Sequence, residues 1–85
     1  MNRVIFEQSA FDDFNCWATT DRKIHARIVE LIRDACRSPF TGIGKPEPLK
    51  GLLRGYWSRR ITDQHRLVYM PTDEGLVVIS CRYHY

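Results

Sequence analysis

Glu47, Arg66, His84 and Tyr85 are the side chains of this 85-residue chain whose types and order fit chemistry on a phosphodiester. Cleaving RNA through its own 2′-hydroxyl requires a base for that proton, an acid for the leaving 5′-oxygen, and cations for the charge that builds at phosphorus. Glu47 is the candidate base and His84 the candidate acid. Arg66 and Arg60 supply forked donors suited to phosphate oxygens, and Lys45 and Lys50 add point charge. Tyr85 or Tyr83 is a candidate for stacking on a base or bonding phosphate. No metal or other cofactor is needed for such a route. The same residues also describe a plain RNA-binding surface or a structural ion-pair network, and residue types alone leave all three readings open.

Charge is distributed in a way that favours an anionic partner. Residues 1–43 carry six Lys/Arg against six Asp/Glu, whereas residues 44–85 carry seven against four, so the whole net charge of +3 lies in the second half. Lys45, Lys50, Arg54, Arg59, Arg60 and Arg66 are opposed within 45–66 only by Glu47 and Asp63. Nucleic acid is the first partner such a face implies, against the alternative of a merely solvated surface.

The elements that must position these residues can be read from periodicity. Val4-Ile5-Phe6 forms a short strand. Ser9, with Asp12 three residues on, reads as an N-cap for a helix whose apolar face carries Phe11, Phe14, Trp17 and Ala18. From Arg22 a second helix places Ile24, Ile28, Leu31, Ile32 and Ala35 on one stripe and closes at Arg37-Ser38-Pro39. Residues 39–55 hold four of the five glycines and three of the four prolines and read as an irregular connection. Within it, Pro46 and Pro48 stiffen the backbone that presents Glu47.

Three strands follow in an antiparallel meander, Tyr56 to Thr62, His65 to Met70 and Leu76 to Tyr85, with Pro71 expected to end the middle one early. Strict alternation sends Ile61, Leu67, Tyr69, Val77, Ile79, Cys81 and Tyr83 toward the helices. It gathers Arg60, Arg66, Arg82 and His84 on the open face with Ser58, Val68, Val78 and Ser80. Tyr85 falls on the side of Tyr83, so it either leaves the ladder and curls toward the cleft beside His84 or acts from the rim of that cleft. The expected fold class is α+β, one domain over 1–85, with two N-terminal helices on one face of an antiparallel sheet. Cys16, Cys36 and Cys81 have neither disulfide nor zinc spacing, which fits a reducing cytoplasm, and no apolar run is long enough for a signal core or membrane span.

Several segments together carry a family resemblance: Gly44-Lys45-Pro46-Glu47-Pro48-Leu49-Lys50, Gly55-Tyr56-Trp57-Ser58-Arg59-Arg60-Ile61, His65-Arg66-Leu67-Val68-Tyr69 and Arg82-Tyr83-His84-Tyr85. These resemble the YoeB-type toxins of the RelE superfamily over nearly the whole chain. The resemblance implies a bacterial type II toxin, a RelE-like fold similar to small microbial ribonucleases, and endoribonuclease activity on mRNA in the ribosomal A site. It further implies a YefM-like antitoxin partner and a homodimer. By the same resemblance Glu47 corresponds to the base, Arg66 to the phosphate-binding arginine, His84 to the acid and Tyr85 to the terminal tyrosine, with Arg60 and Lys50 in supporting positions. Two rivals are a ParE-like toxin that inhibits gyrase without cleaving RNA, and a ribosome-binding inhibitor that does not cut.

Overall fold

The apolar stripe of the second helix lies against one face of a five-stranded sheet, and this contact is the core. In the computed structural model, which describes residues 1–83, β1 is Val4–Phe6, α1 Gln8–Thr20 and α2 Arg22–Arg37. These are followed by β2 Glu47–Pro48, a single 3-10 turn at Gly51–Leu53, β3 Trp57–Arg60, β4 Arg66–Thr72 and β5 Gly75–Ser80. Ile28, Leu31, Ile32 and Ala35 on α2 are buried against Ile61, Leu67, Tyr69, Leu76 and Val78. Each fully buried Leu or Ile contributes about 1.5–3 kcal/mol by leaving water. Asp21 caps α2 by accepting from the amides of Lys23 and Ile24 at 3.1 and 3.2 Å.

The first helix departs from the expected pattern. It begins at Gln8 with Glu7 as N-cap, and the Glu7 amide donates to the Val78 carbonyl at 2.9 Å, so Ser9 lies inside the first turn rather than capping it. Ala10 is the residue buried from α1, with Phe14 and Trp17 packed against the core, while Phe11 is about half exposed and meets Phe6 with the two rings tilted by 60°.

Strand order is β1-β5-β4-β3-β2, with β1 parallel to β5 and every other junction antiparallel. The sheet is therefore mixed, because the two helices carry the chain from β1 over one face before the meander begins. Glu47–Pro48, expected in an irregular connection, is a two-residue edge strand paired with Ser58 and Trp57.

β4 also runs through Pro71 to Thr72, beyond where proline was expected to stop it. Leu76, the partner of Pro71, sends its amide to the Arg3 carbonyl instead, at 2.9 Å. The missing N–H of Pro71 thus faces the side on which β3 has already ended, at the Trp57–Tyr69 pair, and costs no ladder bond.

A bulge breaks the alternation of β5. Val68 pairs with Ser80 and Tyr69 with Val78, leaving Ile79 as the extra residue. Leu76, Val78 and Cys81 consequently all belong to the core, and Val77 and Ile79 are only partly buried. Strict parity had assigned Val77 and Ile79 to the helices and Val78 to the open face; the inserted residue reverses that assignment while leaving Cys81 inside.

Arg59 is a buried part of the fold and not of the basic surface. Its side chain is inaccessible, and all five N–H donors are used. Nε donates to the Tyr69 hydroxyl at 2.9 Å, Nη1 to Asp34 Oδ2 at 2.6 Å and the Ile43 carbonyl at 3.1 Å, and Nη2 to the carbonyls of Ser38 and Thr41 at 2.6 and 2.8 Å. Tyr69 in turn donates to the Pro39 carbonyl at 2.6 Å. The side-chain bond from Arg59, then the Ile43 amide and Arg37, pull the Asp34 carboxyl from 3.8 down to about 2. This network ties the Ser38–Ile43 loop to α2 and β3, and so fixes where the chain enters β2.

Candidate active site

Glu47, Arg60 and Arg66 share the sheet face turned away from the helices, because the ladder registers leave no other arrangement. Glu47 stands opposite Ser58, Ser58 opposite Val68, and Arg60 opposite Arg66. Side chains two apart on a strand, or directly paired across strands, lie on the same face. The carboxylate and the two guanidinium groups thus belong to adjacent rows of three neighbouring strands.

The approach to Glu47 is held in a fixed shape. The Arg60 amide donates to the Gly44 carbonyl at 2.7 Å, and the Leu49 amide to the Tyr56 carbonyl at 2.9 Å. Gly44 has φ +80°, and a Cβ there would meet Leu31 Cδ2 at 2.7 Å, so this backbone passes close over α2. Lys45 also adopts a left-handed φ of +52°, an uncommon conformation for a residue with a Cβ. Lys45, Glu47 and Lys50 are all exposed, with Lys50 just before the 3-10 turn.

Arg66 is oriented by the β3–β4 turn. Its Nη1 donates to the carbonyls of Thr62, Asp63 and His65, the last two at 3.2 and 3.1 Å. The turn is closed by the Thr62 hydroxyl oxygen, which accepts from the amides of Gln64 and His65. Arg60 is more exposed and approaches Asp63 Oδ1 at 3.9 Å.

The segment after β5 leaves the ladder earlier than expected: the strand ends at Ser80 and Tyr83 has φ +59°. It is nevertheless brought to Arg66. The Arg66 amide donates to the Tyr83 carbonyl at 3.1 Å, and the Tyr83 amide donates to His65 Nδ1 at 2.7 Å. Trp17 on α1 donates through Nε1 to the Cys81 carbonyl at 3.1 Å.

Arg82 leaves the face assigned to it by alternation. Once β5 has ended, its guanidinium turns toward α1, 3.6 Å from Asp13 Oδ1 and over the rings of Trp17 and Tyr83 at 5.7 and 5.0 Å. Arg82 is therefore not grouped with Arg60 and Arg66. His84 and Tyr85 lie outside the described residues, but His84 directly follows the Tyr83 anchored beside Arg66. Sequence reasoning passed over Trp17 and His65 as anchors of this segment. The signal for His65 was present, since alternation places it with Leu67 and Tyr69, and a polar ring nitrogen on a core face needs a partner.

Comparison with known proteins places the sequence and the fold in a family. A family model described as YoeB-like toxin of bacterial type II toxin-antitoxin system matches residues 6–85. Toxin YoeB of Streptomyces coelicolor is 58% identical over 83 residues, covering 98% of this chain and 99% of the relative. The solved YoeB/ParE toxin from Agrobacterium tumefaciens superposes with a TM-score of 0.93 at 50% identity, covering 98% of this chain and 99% of that one. A YoeB–YefM complex and a YoeB dimer, both from Staphylococcus aureus, each give 0.91 at 42% and 43% identity, with 98% of this chain and 97% of theirs covered. With sequence and fold matched along essentially the whole length, the chain belongs to the YoeB-like toxins of bacterial type II toxin–antitoxin systems.

Proposed function

We propose that this toxin is a ribosome-dependent endoribonuclease that cleaves mRNA in the A site, without a metal, and thereby stops translation. The observation that carries the reading is the pairing of Arg60 with Arg66 across β3 and β4, one row from Glu47 and beside the anchored Tyr83 that leads into His84.

In the proposed reaction Glu47 takes the proton of the 2′-hydroxyl, whose oxygen then attacks the adjacent phosphorus. Arg66, held by three turn carbonyls, meets the negative charge that grows on the non-bridging oxygens, with Arg60, Lys45 and Lys50 adding to the field. His84 gives its proton to the departing 5′-oxygen. The bond to that oxygen breaks, leaving a 2′,3′-cyclic phosphate and a 5′-hydroxyl. Tyr85 borders the scissile group or stacks on a base.

The partners in this reading are mRNA, the ribosomal A site, a YefM-like antitoxin and a second copy of the chain, in the cytoplasm. Relatives at 42–43% identity solved as a YoeB–YefM complex and as a YoeB dimer support the last two partners. Among the described residues, no helix is long and apolar enough to cross a membrane.

Primer extension on translating ribosomes tests the reading, with a 5′ end inside the A-site codon as the expected result. Glu47→Gln and His84→Gln should each lower the single-turnover rate by about 10²–10⁴-fold while ribosome binding persists. Full-length message with translation arrested would overturn cleavage in favour of a non-cutting inhibitor. Inhibition of gyrase in a parallel supercoiling assay would instead favour the ParE-like alternative.

A further inference from the structure

We infer that His65 is a positioning residue, an imidazole whose Nδ1 fixes the backbone of Tyr83, the residue that precedes His84 in sequence; this rests on the nuclease reading above. The argument begins with the β3–β4 turn. Its Thr62 hydroxyl oxygen accepts from the His65 amide at 3.1 Å, while the His65 carbonyl accepts from the amides of Ile61 and Thr62 at 3.0 and 3.2 Å and from Arg66 Nη1 at 3.1 Å. Those bonds fix the His65 backbone and the Arg66 guanidinium in one unit.

The His65 ring is buried, edge-on to Trp17 with centroids 4.9 Å apart and tilted by 47° to the Tyr83 ring at 5.4 Å. From that position Nδ1 accepts the Tyr83 amide at 2.7 Å, which assigns the ring's own proton to Nε2. The Tyr83 carbonyl is taken at the same time by the Arg66 amide, at 3.1 Å.

Both polar groups of the peptide backbone at residue 83 are thus bound to two consecutive residues of one turn. Tyr83 sits there at φ +59°, a conformation that costs a residue with a Cβ roughly 1 kcal/mol or more and needs external bonds to persist. The turn that aims the phosphate-binding Arg66 therefore also aims the residue preceding the proposed acid. His65 joins the two: it supplies the acceptor that holds residue 83, and its backbone supplies one of the acceptors that hold Arg66. A chain direction set this close to a reacting group controls rate more than affinity, because misplacing the acid by about 1 Å costs on the order of 10²-fold.

The test compares His65→Phe, which keeps a flat ring between Trp17 and Tyr83 but removes the acceptor, with His65→Asn, whose Oδ1 can stand where Nδ1 stood. For A-site cleavage, His65→Phe should lower kcat by about tenfold or more, with KM for programmed ribosomes within about twofold of wild type. His65→Asn should recover most of the lost kcat. Hydrogen exchange on the free protein supplies a reading independent of activity: the Tyr83 amide should be protected in wild type and His65→Asn and exchange freely in His65→Phe.

Wild-type kcat in His65→Phe would overturn the inference. So would an unprotected Tyr83 amide in the wild type, or losses of kcat that follow thermal stability alike in both variants. If wild-type protein cuts nothing while the Tyr83 amide shows the expected protection pattern, the nuclease reading fails and the anchoring of residue 83 by His65 stands.

Discussion

Arg59 and Arg60 are adjacent in β3 and have opposite surroundings: the first has every donor satisfied inside the protein, and the second lies exposed across from Arg66. Alternation along the strand accounts for this, since Arg59 faces the helices and Arg60 the other way. Only one of two neighbouring arginines is therefore available to a phosphate.

Substitution should separate the two roles. Arg59→Ala removes the donor to the Tyr69 hydroxyl and to three loop carbonyls and leaves the Asp34 carboxylate with the Ile43 amide and Arg37, and should destabilise the protein by about 3–5 kcal/mol, as removal of one member of a buried pair does. Arg60→Ala should stay within about 0.5 kcal/mol of wild type, the usual range for a surface change. Its cleavage rate should nevertheless fall, by about tenfold. Urea unfolding beside a ribosome cleavage assay checks both.

Asp34 gives the stability curve a defined acid limb. Its carboxyl is held at about 2 in the folded protein by Arg59 first, against an ordinary value of 3.8. Because the folded value is the lower one, the unfolded chain binds the proton first as acid is added. The contribution is whole above about 4 and is lost as pH falls toward 2. Asp34→Asn should be less stable at neutral pH and show a flatter profile across that window, measured as Tm against pH.

The cysteines should differ sharply in reactivity. Burial, and then the charge of Asp13, push the Cys81 thiol up to about 12, and its Sγ lies 3.5 Å from the Ala10 carbonyl in the core. Cys16 is exposed on α1. Alkylation of native protein near pH 8, followed by mass spectrometry, should modify Cys16 readily and Cys81 only after denaturant is added.

Gly44→Ala tests the path into β2. A methyl group at φ +80° would press on Leu31 and lie 3.3 Å from the Arg60 carbonyl, displacing the backbone that bonds the Arg60 amide. The variant should lose about 1–3 kcal/mol. It should also cleave more slowly than that loss alone explains, because the same backbone leads to Glu47; denaturant midpoints and cleavage rates on one preparation distinguish the two effects.

Much of this was legible in the residues themselves. The α2 stripe appears as read, the meander has the expected order, and alternation correctly placed Arg60 and Arg66 on one face and Leu67 and Tyr69 on the other. What failed did so where local pattern is silent about register. The Ile79 bulge cannot be seen in Leu76-Val77-Val78-Ile79, because any of four apolar residues could be the extra one. Arg59 looked like surface charge because its partners, Asp34 and the carbonyls of Ser38, Thr41 and Ile43, are distant in sequence. Arg82 was misplaced because the alternation rule was extended past Ser80, where the strand ends.

The position of β5 between β1 and β4 governs when the protein can assemble as the ribosome makes it. Residues 4–6 emerge early, yet their hydrogen-bonding neighbours are residues 76–78. The helices can form first, but β1 has no partner, and the buried faces of α1 and α2 have no complete surface to cover, until β5 has been made. Pairing across so long a stretch of chain is slow, since the loop must close before the contacts return any energy. The strands that carry Arg60 and Arg66 thus precede, in order of synthesis, the strand that completes the sheet between β1 and β4.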